Sequence, residues 1–222
     1  TTLVNLALAY AKHHAVRHIR CSARAGNPAL LSGLQGLGFK VRWLSNQITC
    51  DTRRLPPELP PCPAGLEFVA PGPEHIRGLE EAISEVGPYN WPEFEPGLPR
   101  EAREAYATTR MLNCVTSDYA DACMVALWKG RVSGFHASAL AQHRGQSFTS
   151  PSFAYVRDTF VTPKAPPNIG LHLIRHALHA HIGRAEQVTG RVRIDGRAML
   201  NTALACGYRI TGDEVLLSRS LH

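Results

Sequence analysis

The sequence predicts a mixed α/β fold, in which a sheet is flanked by helices. Three observations carry this expectation. Segments with helical apolar spacing alternate with short apolar and β-branched runs along all 222 residues. Two distant stretches end alike, in a helix, a glycine, an aromatic, a basic residue and a strand, at Gly38-Phe39-Lys40 and Gly207-Tyr208-Arg209. A proline-rich stretch, Leu55 to Cys62-Pro63, holds five prolines in nine residues and divides the chain, because proline propagates neither a helix nor a central strand.

The elements follow in order. Leu3, Leu6, Ala7, Tyr10 and Ala11 fall at helical spacing, and a strand follows over His18–Ala23. Asn27 is a candidate N-cap with Pro28 at the first helical position, Leu30, Leu31, Leu34 and Leu37 make the apolar stripe, and Gly38 stops the helix. Two strands are expected near Lys40–Ser45 and Gln47–Thr52. Beyond the prolines come a strand at Leu66–Ala70, a helix over Glu74–Val86, an aromatic loop at Pro88–Phe94 and a helix over Pro99–Asn113. Met124–Leu127 and Val132–Ala139 read as a hairpin across Lys129-Gly130. The strand Phe153–Val161, a loop to Asn168 and a helix from Gly170 to about Arg184 come next. A strand at Gly190–Ile194, a helix at Ala198–Ala205 and a strand at Val215–Ser218 complete the chain.

The alignment of the two Gly-aromatic-basic endings extends backwards, Asn27 against Gly196 and Leu30-Leu31 against Met199-Leu200, which reads as a weak internal repeat. The expected organisation is therefore a truncated half-domain at 1–54, a linker at 55–65 and a larger domain at 66–222. About 54 residues make a marginal core, so the first part is expected to pack on the second.

Composition narrows the function classes. Hydrophobic residues make up 44% and charged residues 19%, an ordinary globular balance. No apolar run reaches the ~18–20 residues of a membrane span, and the start lacks a signal-peptide pattern. The six cysteines form no CxxC pair and no zinc spacing, so reduced thiols, no metal and a cytoplasmic place are expected. The net charge of +6 suits an anionic partner, but the arginines are scattered, which favours a small phosphate-bearing ligand over nucleic acid.

The junction from Phe153–Val161 into the helix at Gly170 is the informative one. A strand that feeds a helix through a tight loop presents unpaired N–H groups at the positive end of the helix dipole, which suits phosphate. Val161-Thr162-Pro163, the loop, and Asn168-Ile169-Gly170-Leu171-His172-Leu173-Ile174 resemble the acetyl-CoA motif of the GNAT superfamily of N-acetyltransferases. Gly134-Phe135 and Gly207-Tyr208 are similar to further landmarks of that family, and the resemblance covers about 66–222. The extra half before the domain resembles the dTDP-fucosamine N-acetyltransferase subgroup.

The resemblance implies a GNAT fold with a mostly antiparallel central sheet and direct attack of an amine on the acetyl-CoA thioester. It places the pantetheine arm on Phe160 and Val161, and the pyrophosphate on Asn168, Ile169, Gly170, Leu171 and His172. It puts a general base at Asp158, and period-2 alternation in a regular strand is read as placing Tyr155 on the same face. Tyr89, Trp91, Phe94 and Tyr106 border the implied acceptor pocket. The implied partners are acetyl-CoA and a small primary amine, with an amino sugar on a nucleotide as one acceptor, and no membrane. An exposed sheet edge would want covering, which suggests a homodimer.

The sequence also departs from the family pattern. The Arg or Gln position falls on Ala165, the next two on Pro166 and Pro167, which lack N–H groups, and the first glycine on Asn168. The position of the usual tyrosine acid falls on Ala203. A binding module that kept the fold without catalysis, and acyl transfer to or from a carrier-protein thiol, are therefore alternatives. His172, His176, His179 and His181 are read as surface side chains, and Tyr119 and Asp121 as part of a surface turn.

Overall fold

The computed structural model describes residues 2–87, 99–141 and 152–221. These form α1 (Thr2–His13), β1 (His18–Ala23), α2 (Pro28–Gly36), β2 (Lys40–Asp51), β3 (Leu66–Val69), α3 (Ile76–Val86) and α4 (Arg100–Thr116). They continue with β4 (Ala122–Trp128), β5 (Arg131–Leu140), β6 (Phe153–Val161), α5 (Ile169–His179), β7 (Gln187–Arg193), α6 (Arg197–Ala205) and β8 (Arg209–Ser220). The fold is mixed α and β, as the alternating periodicities predict. All eight strands join one sheet in the order β1-β8-β2-β7-β6-β5-β4-β3. Every pairing is antiparallel except β6 with β7.

Local signals hold where they are chemical. Asn27 caps α2, its side-chain oxygen accepting from Leu30 N at 3.1 Å. Gly38 and Gly207 end their helices at φ of 81° and 95°, a conformation that costs glycine nothing. Several boundaries differ from expectation, among them α5, which ends at His179 and not near Arg184, and β7, which starts at Gln187 and not at Gly190. Lys40–Asp51 is one continuous strand and not two, and the last strand starts at Arg209 and not at Val215. Ser45-Asn46 and Thr211-Gly212-Asp213 read as turn chemistry, yet they lie opposite one another in a paired ladder, with Ser45 against Glu214 and Asn46 against Asp213. Cross-strand pairing overrides local preference there.

The register carries a second pattern. The offset that takes Gly38 to Gly207, 169 residues, takes His18 to Gln187 and Ser220 back to Asp51, and both His18–Ser220 and Asp51–Gln187 are pairs. It takes the Lys40–Ser218 pair to Thr49–Arg209 and the Val41–Leu217 pair to Ile48–Ile210. Ser45–Glu214 maps onto itself. The two bulges, at Arg42 and Thr211, map onto each other. The outer four strands thus have a local two-fold axis through Ser45 and Glu214, and β2 and β8 exchange between the two repeats. β2 lies between β7 and β8, so the N-terminal segment lies inside the sheet.

The core divides along this plan. Leu8 of α1 and Leu34 of α2 pack on Ala23, Phe39, Val215 and Leu217. Ile174 and Leu178 of α5 and Ala203 of α6 pack on Ile48, Cys50, Val188 and Val192 of the same sheet face. Leu79, Ala82 and Ile83 of α3 and Met111 of α4 cover Val125, Phe135, Ala137 and Phe160 on the opposite face. That second face carries no helix over β7, β2, β8 and β1 among the described residues. The alternation of the ladder points Arg20, Trp43, Ser45, Arg191 and Glu214 to it. On α1, Leu3, Leu6 and Tyr10 stay exposed, at 79%, 63% and 66%.

Candidate active site

The site begins where β6 leaves β7. Only Phe153–Tyr155 pair with Gln187–Thr189, in parallel. Beyond them the strands splay, and a cleft opens between Arg157–Val161 and Gly190–Arg193. Val156 closes the apex, lying so near Gly190 that a Cβ there would meet its Cγ2 at 3.3 Å. The splay is assisted by a bulge, since Ala137 faces Asp158 while Ser138 faces Val156, leaving Arg157 as the extra residue. The bulge also decides side-chain direction. In a regular strand Tyr155 and Asp158, three apart, would point to opposite faces; the extra residue puts both on the α4 side, opposite Ala139 and Ala137.

At the far end of the cleft the chain turns into α5. Asn168 is left-handed, with φ 69° and ψ 0°. Asparagine is the residue that tolerates this conformation best after glycine, which accounts for its standing where the family motif has Gly. Ile169 N bonds Pro166 O at 3.4 Å, and the helix proper starts with His172 N on Asn168 O at 3.1 Å. The N–H groups of Gly170 and Leu171 meet no acceptor among the described residues. Gly170 lies between Val161 and Thr202, where a Cβ would stand 3.4 Å from the valine methyl. Ile169 is 2% exposed and holds this turn to the core with Ala126, Leu66 and Leu173. His172 is half-buried with Nδ1 unpartnered. Burial, then Arg175 and His176, lower its pKa, so it stands neutral beside the helix end.

The predicted base and its neighbours lie on the other face. Asp158 is 4% exposed and paired with Arg110 of α4, Nε to Oδ2 at 3.3 Å. Arg110 also donates to the Arg157 carbonyl, at the bulge. Burial alone would lower the Arg110 pKa; Asp158, then Tyr119 and Tyr106, outweigh it and hold it above its ordinary value. Tyr106 adjoins Arg110 one helical turn away and hydrogen-bonds it. Tyr155 is 45% exposed, whereas Phe160 is buried against Phe135 at 5.7 Å between centroids, so only its backbone can face a ligand. Tyr119 lies under Arg157, whose guanidinium carbon is 4.9 Å from the ring centroid. Tyr89, Trp91 and Phe94 lie outside the described residues. Ala203 is 1% exposed in the core, so no acid stands at the family's tyrosine position.

The four histidines of α5 and the turn after it are not surface groups throughout. His181 is fully buried, its Nε2 2.6 Å from Ser138 Oγ. His176 stacks on Phe68 at 4.1 Å, its Nδ1 bonds the His172 carbonyl and its Nε2 is 3.4 Å from Cys62 Sγ. His179 Nε2 donates to Pro57 O at 2.6 Å. Together they strap the proline-rich segment along α5. Among the described residues no group of three or more His, Cys, Asp or Glu could hold a metal, and no helix is long and apolar enough to cross a membrane.

Sequence reasoning placed Arg110 with Tyr106 at the acceptor pocket, and missed the other basic residues on this side of the sheet. Arg20 comes from β1, Arg110 from α4, Arg157 from the bulge and Arg191 from β7, where it pairs with Glu214 at 2.6 Å. They are dispersed over 172 positions of chain, Arg20 to Arg191, and no spacing signals that they belong to one side of the sheet.

No protein-family model matches the sequence, and no curated protein matches it significantly. Solved structures do match its fold. A GCN5-related N-acetyltransferase from Kribbella flavida aligns with a TM-score of 0.62 at 15% identity, over 99% of this chain and 74% of that one. A tandem GNAT protein from the clavulanic acid biosynthesis pathway aligns at 0.60 and 14%, over 96% and 66%. A GCN5-related N-acetyltransferase from Sphaerobacter thermophilus aligns at 0.58 and 15%, over 91% of this chain and 59% of that one, so this chain spans well under two thirds of the latter's length. The chain has the GNAT fold.

Proposed function

We propose that the chain transfers an acetyl or other short acyl group from acyl-CoA to a primary amine. The observation that carries this reading is the splay of β6 from β7, ending at the left-handed Asn168 and the open N–H groups of Gly170 and Leu171. An extended pantetheine arm would lie in the cleft against the backbone of Phe160 and Val161, and the pyrophosphate would take the N–H groups from Asn168 to His172. The neutral His172 would contribute a hydrogen bond there and no charge. The thioester would then face Asp158 and Tyr155 from the cofactor strand.

In this reading the amine loses its proton to Asp158, directly or through water, and its lone pair attacks the thioester carbon. Asp158 must give up part of its hold on Arg110 to do so. With Ala203 at the usual acid position, the sulfur leaves as thiolate, which is tolerable because an ordinary thiol has a pKa near ~8.5. Residues 66–222 would be the transferase domain and 1–54 a truncated GNAT-like half-domain. Tyr106, together with Tyr89, Trp91 and Phe94, would border the acceptor, of which a nucleotide-linked amino sugar is one member. A cytoplasmic homodimer completes the proposal.

A second reading, a ligand-binding module without catalysis, draws on the buried Ala203 and the closed Asp158–Arg110 pair. A thermal-shift titration with acetyl-CoA, CoA and dephospho-CoA tests the first. Saturable stabilisation by acetyl-CoA is expected, since a ligand that binds only the native state raises Tm. No shift up to millimolar acetyl-CoA overturns the cofactor assignment. A shift without thiol release over an amine library favours the module.

A further inference from the structure

Cys62 differs from the other five cysteines in its surroundings. Cys50 and Cys206 lie in the apolar cluster of α5 and α6, Cys114 and Cys123 in that of α3 and α4, and Cys21 in that of α1 and α2. Cys206 Sγ donates to the Leu171 carbonyl and Cys123 Sγ to the Cys114 carbonyl, groups that hold a proton in place but do not remove it. Burial pushes Cys50, Cys123 and Cys206 up to about 11 and Cys114 up to about 12. Cys62 belongs to no apolar cluster among the described residues. It sits half-buried in the proline-rich segment strapped along α5, and its neighbour there is a nitrogen base, His176.

The base is oriented. His176 Nδ1 lies 2.9 Å from the His172 carbonyl, which can only accept, so in the neutral ring Nδ1 carries the proton and Nε2 the lone pair. Nε2 stands 3.4 Å from Cys62 Sγ, and the thiol donates to it. Phe68 stacks on the imidazole at 4.1 Å and 29°, which holds the plane of the ring. A nucleophile, a base within its reach and a third group that fixes the tautomer of the base together activate a neutral thiol. Activation is needed here, because burial raises the Cys62 pKa and no thiolate stands ready.

We propose that Cys62 is a site of reversible thiol–disulfide exchange with a small-molecule disulfide, with His176 as its base. The assignment is independent of the transferase reading. His176 Nε2 takes the thiol proton as Sγ attacks one sulfur of the disulfide. The old S–S bond breaks, its electron pair goes to the departing sulfur, and that sulfur takes the proton from His176. Cys62 is thereby oxidised to a mixed disulfide, the small disulfide is the oxidant, and one small thiol is released. The segment around Cys62 favours a disulfide over an acyl donor. Pro60, Pro61 and Pro63 have no N–H groups, so the chain beside the thiol is poor in the donors that a tetrahedral oxyanion requires. Exchange develops its charge on sulfur and needs no such donors. A half-buried thiol between the segment and α5 suits a small partner.

The test is a time course of the native chain with bis(2-hydroxyethyl) disulfide at neutral pH, quenched, digested and mapped by mass. Cys62 is expected to be modified about tenfold or more faster than any other cysteine, and dithiothreitol should reverse the adduct. His176→Gln should slow Cys62 by about tenfold or more, since a positioned base contributes at least that much. His179→Gln cuts the other tie of the segment, to Pro57 O, and leaves the base in place, so it should not slow Cys62. In urea, where the pair is dispersed, Cys62 should react equally fast in the wild-type and His176→Gln chains. An unchanged or faster Cys62 in native His176→Gln overturns the proposal, because exposure and not the base then controls the thiol. Equal slowing in His179→Gln, or a difference that persists in urea, overturns it as well. Preferential modification of another cysteine in the wild-type chain does the same, and that result stands even if His176→Gln does not fold.

Discussion

Asn168 concentrates several demands in one residue. It must turn left-handed, precede α5, and leave the following N–H groups open. Glycine can do all three, so Asn168→Gly should keep acetyl-CoA binding and fold stability within a few tenths of a kcal/mol. A β-branched side chain cannot adopt φ near +69° cheaply, and Asn168→Val should cost about 1–2 kcal/mol in denaturant unfolding and weaken acetyl-CoA. Equal stability of the two variants would contradict the account of this turn. The buried histidines make a second prediction at this scale. Burial, with His181 adding a smaller effect, pushes His136 down to about 3. Burial, then Arg184, pushes His181 to about 4 against the pull of Asp121. Unfolded histidine titrates near ~6.5, so below that pH the unfolded chain binds protons that the native one refuses. The stability contributed by these residues is complete above pH ~6.5 and is lost as pH falls towards 4. The slope should approach about 2.7 kcal/mol per pH unit, for two protons. His181→Gln should reduce that slope by about half in urea titrations at pH 7 and 5, and an unchanged slope would refute the assignment.

At the scale of elements, the bulge of β6 and the start of α4's contact with it depend on one ion pair. Arg110 reaches both Asp158 and the Arg157 carbonyl, so it ties the helix to the strand at the place where the ladder is irregular. Removing one partner of a buried pair leaves the other unanswered, and Asp158→Asn should destabilise the fold by about 3 kcal/mol in chemical unfolding. A combined Asp158→Asn, Arg110→Met variant should recover part of that loss, because both charges are gone. If the double variant is as unstable as the sum of the singles, the pair is not what holds the bulge. The same elements show what a sequence can disclose. Phe153–Val161 and His18–Ala23 were legible to the residue, because turn residues bound apolar runs on both sides. The bulge was not, since an extra residue at Arg157 is chosen by the pairing with β5. Nor were the full lengths of β2 and β8, whose polar middles satisfy each other across the ladder. The chemistry of the Asn168 turn could be read from residue types alone. The surroundings of His181 could not, and it read as a surface group because its partner Ser138 is 43 residues away.

At the scale of the molecule, the two-fold register makes the N-terminal segment part of the fold it precedes. β2 supplies Ile48 and Cys50, 4% and 2% exposed, to the cluster that holds α5 and α6 on the sheet. Its backbone pairs on one side with β7 and on the other with β8. Without it, β7 and β8 would face a gap one strand wide, with unpaired N–H and C=O groups on both sides. Burial of Ile48 alone contributes about 1.5–3 kcal/mol, a large share of the few kcal/mol by which a domain is stable. A chain of residues 55–222 should therefore fail to give a cooperative thermal transition. A chain of residues 40–222, which restores β2 but omits α1, β1 and α2, should recover cooperativity at a lower Tm, since only the cluster around Leu8, Leu34 and Phe39 is lost. The two repeats need not be covalently joined for this. Residues 1–54 and 55–222 produced as separate chains should associate, because the contacts between them are the interior of one sheet. Cooperative unfolding of 55–222 alone, at the melting temperature of the whole chain, would mean that β8 can close on β7 directly and that the exchange of strands contributes nothing to stability.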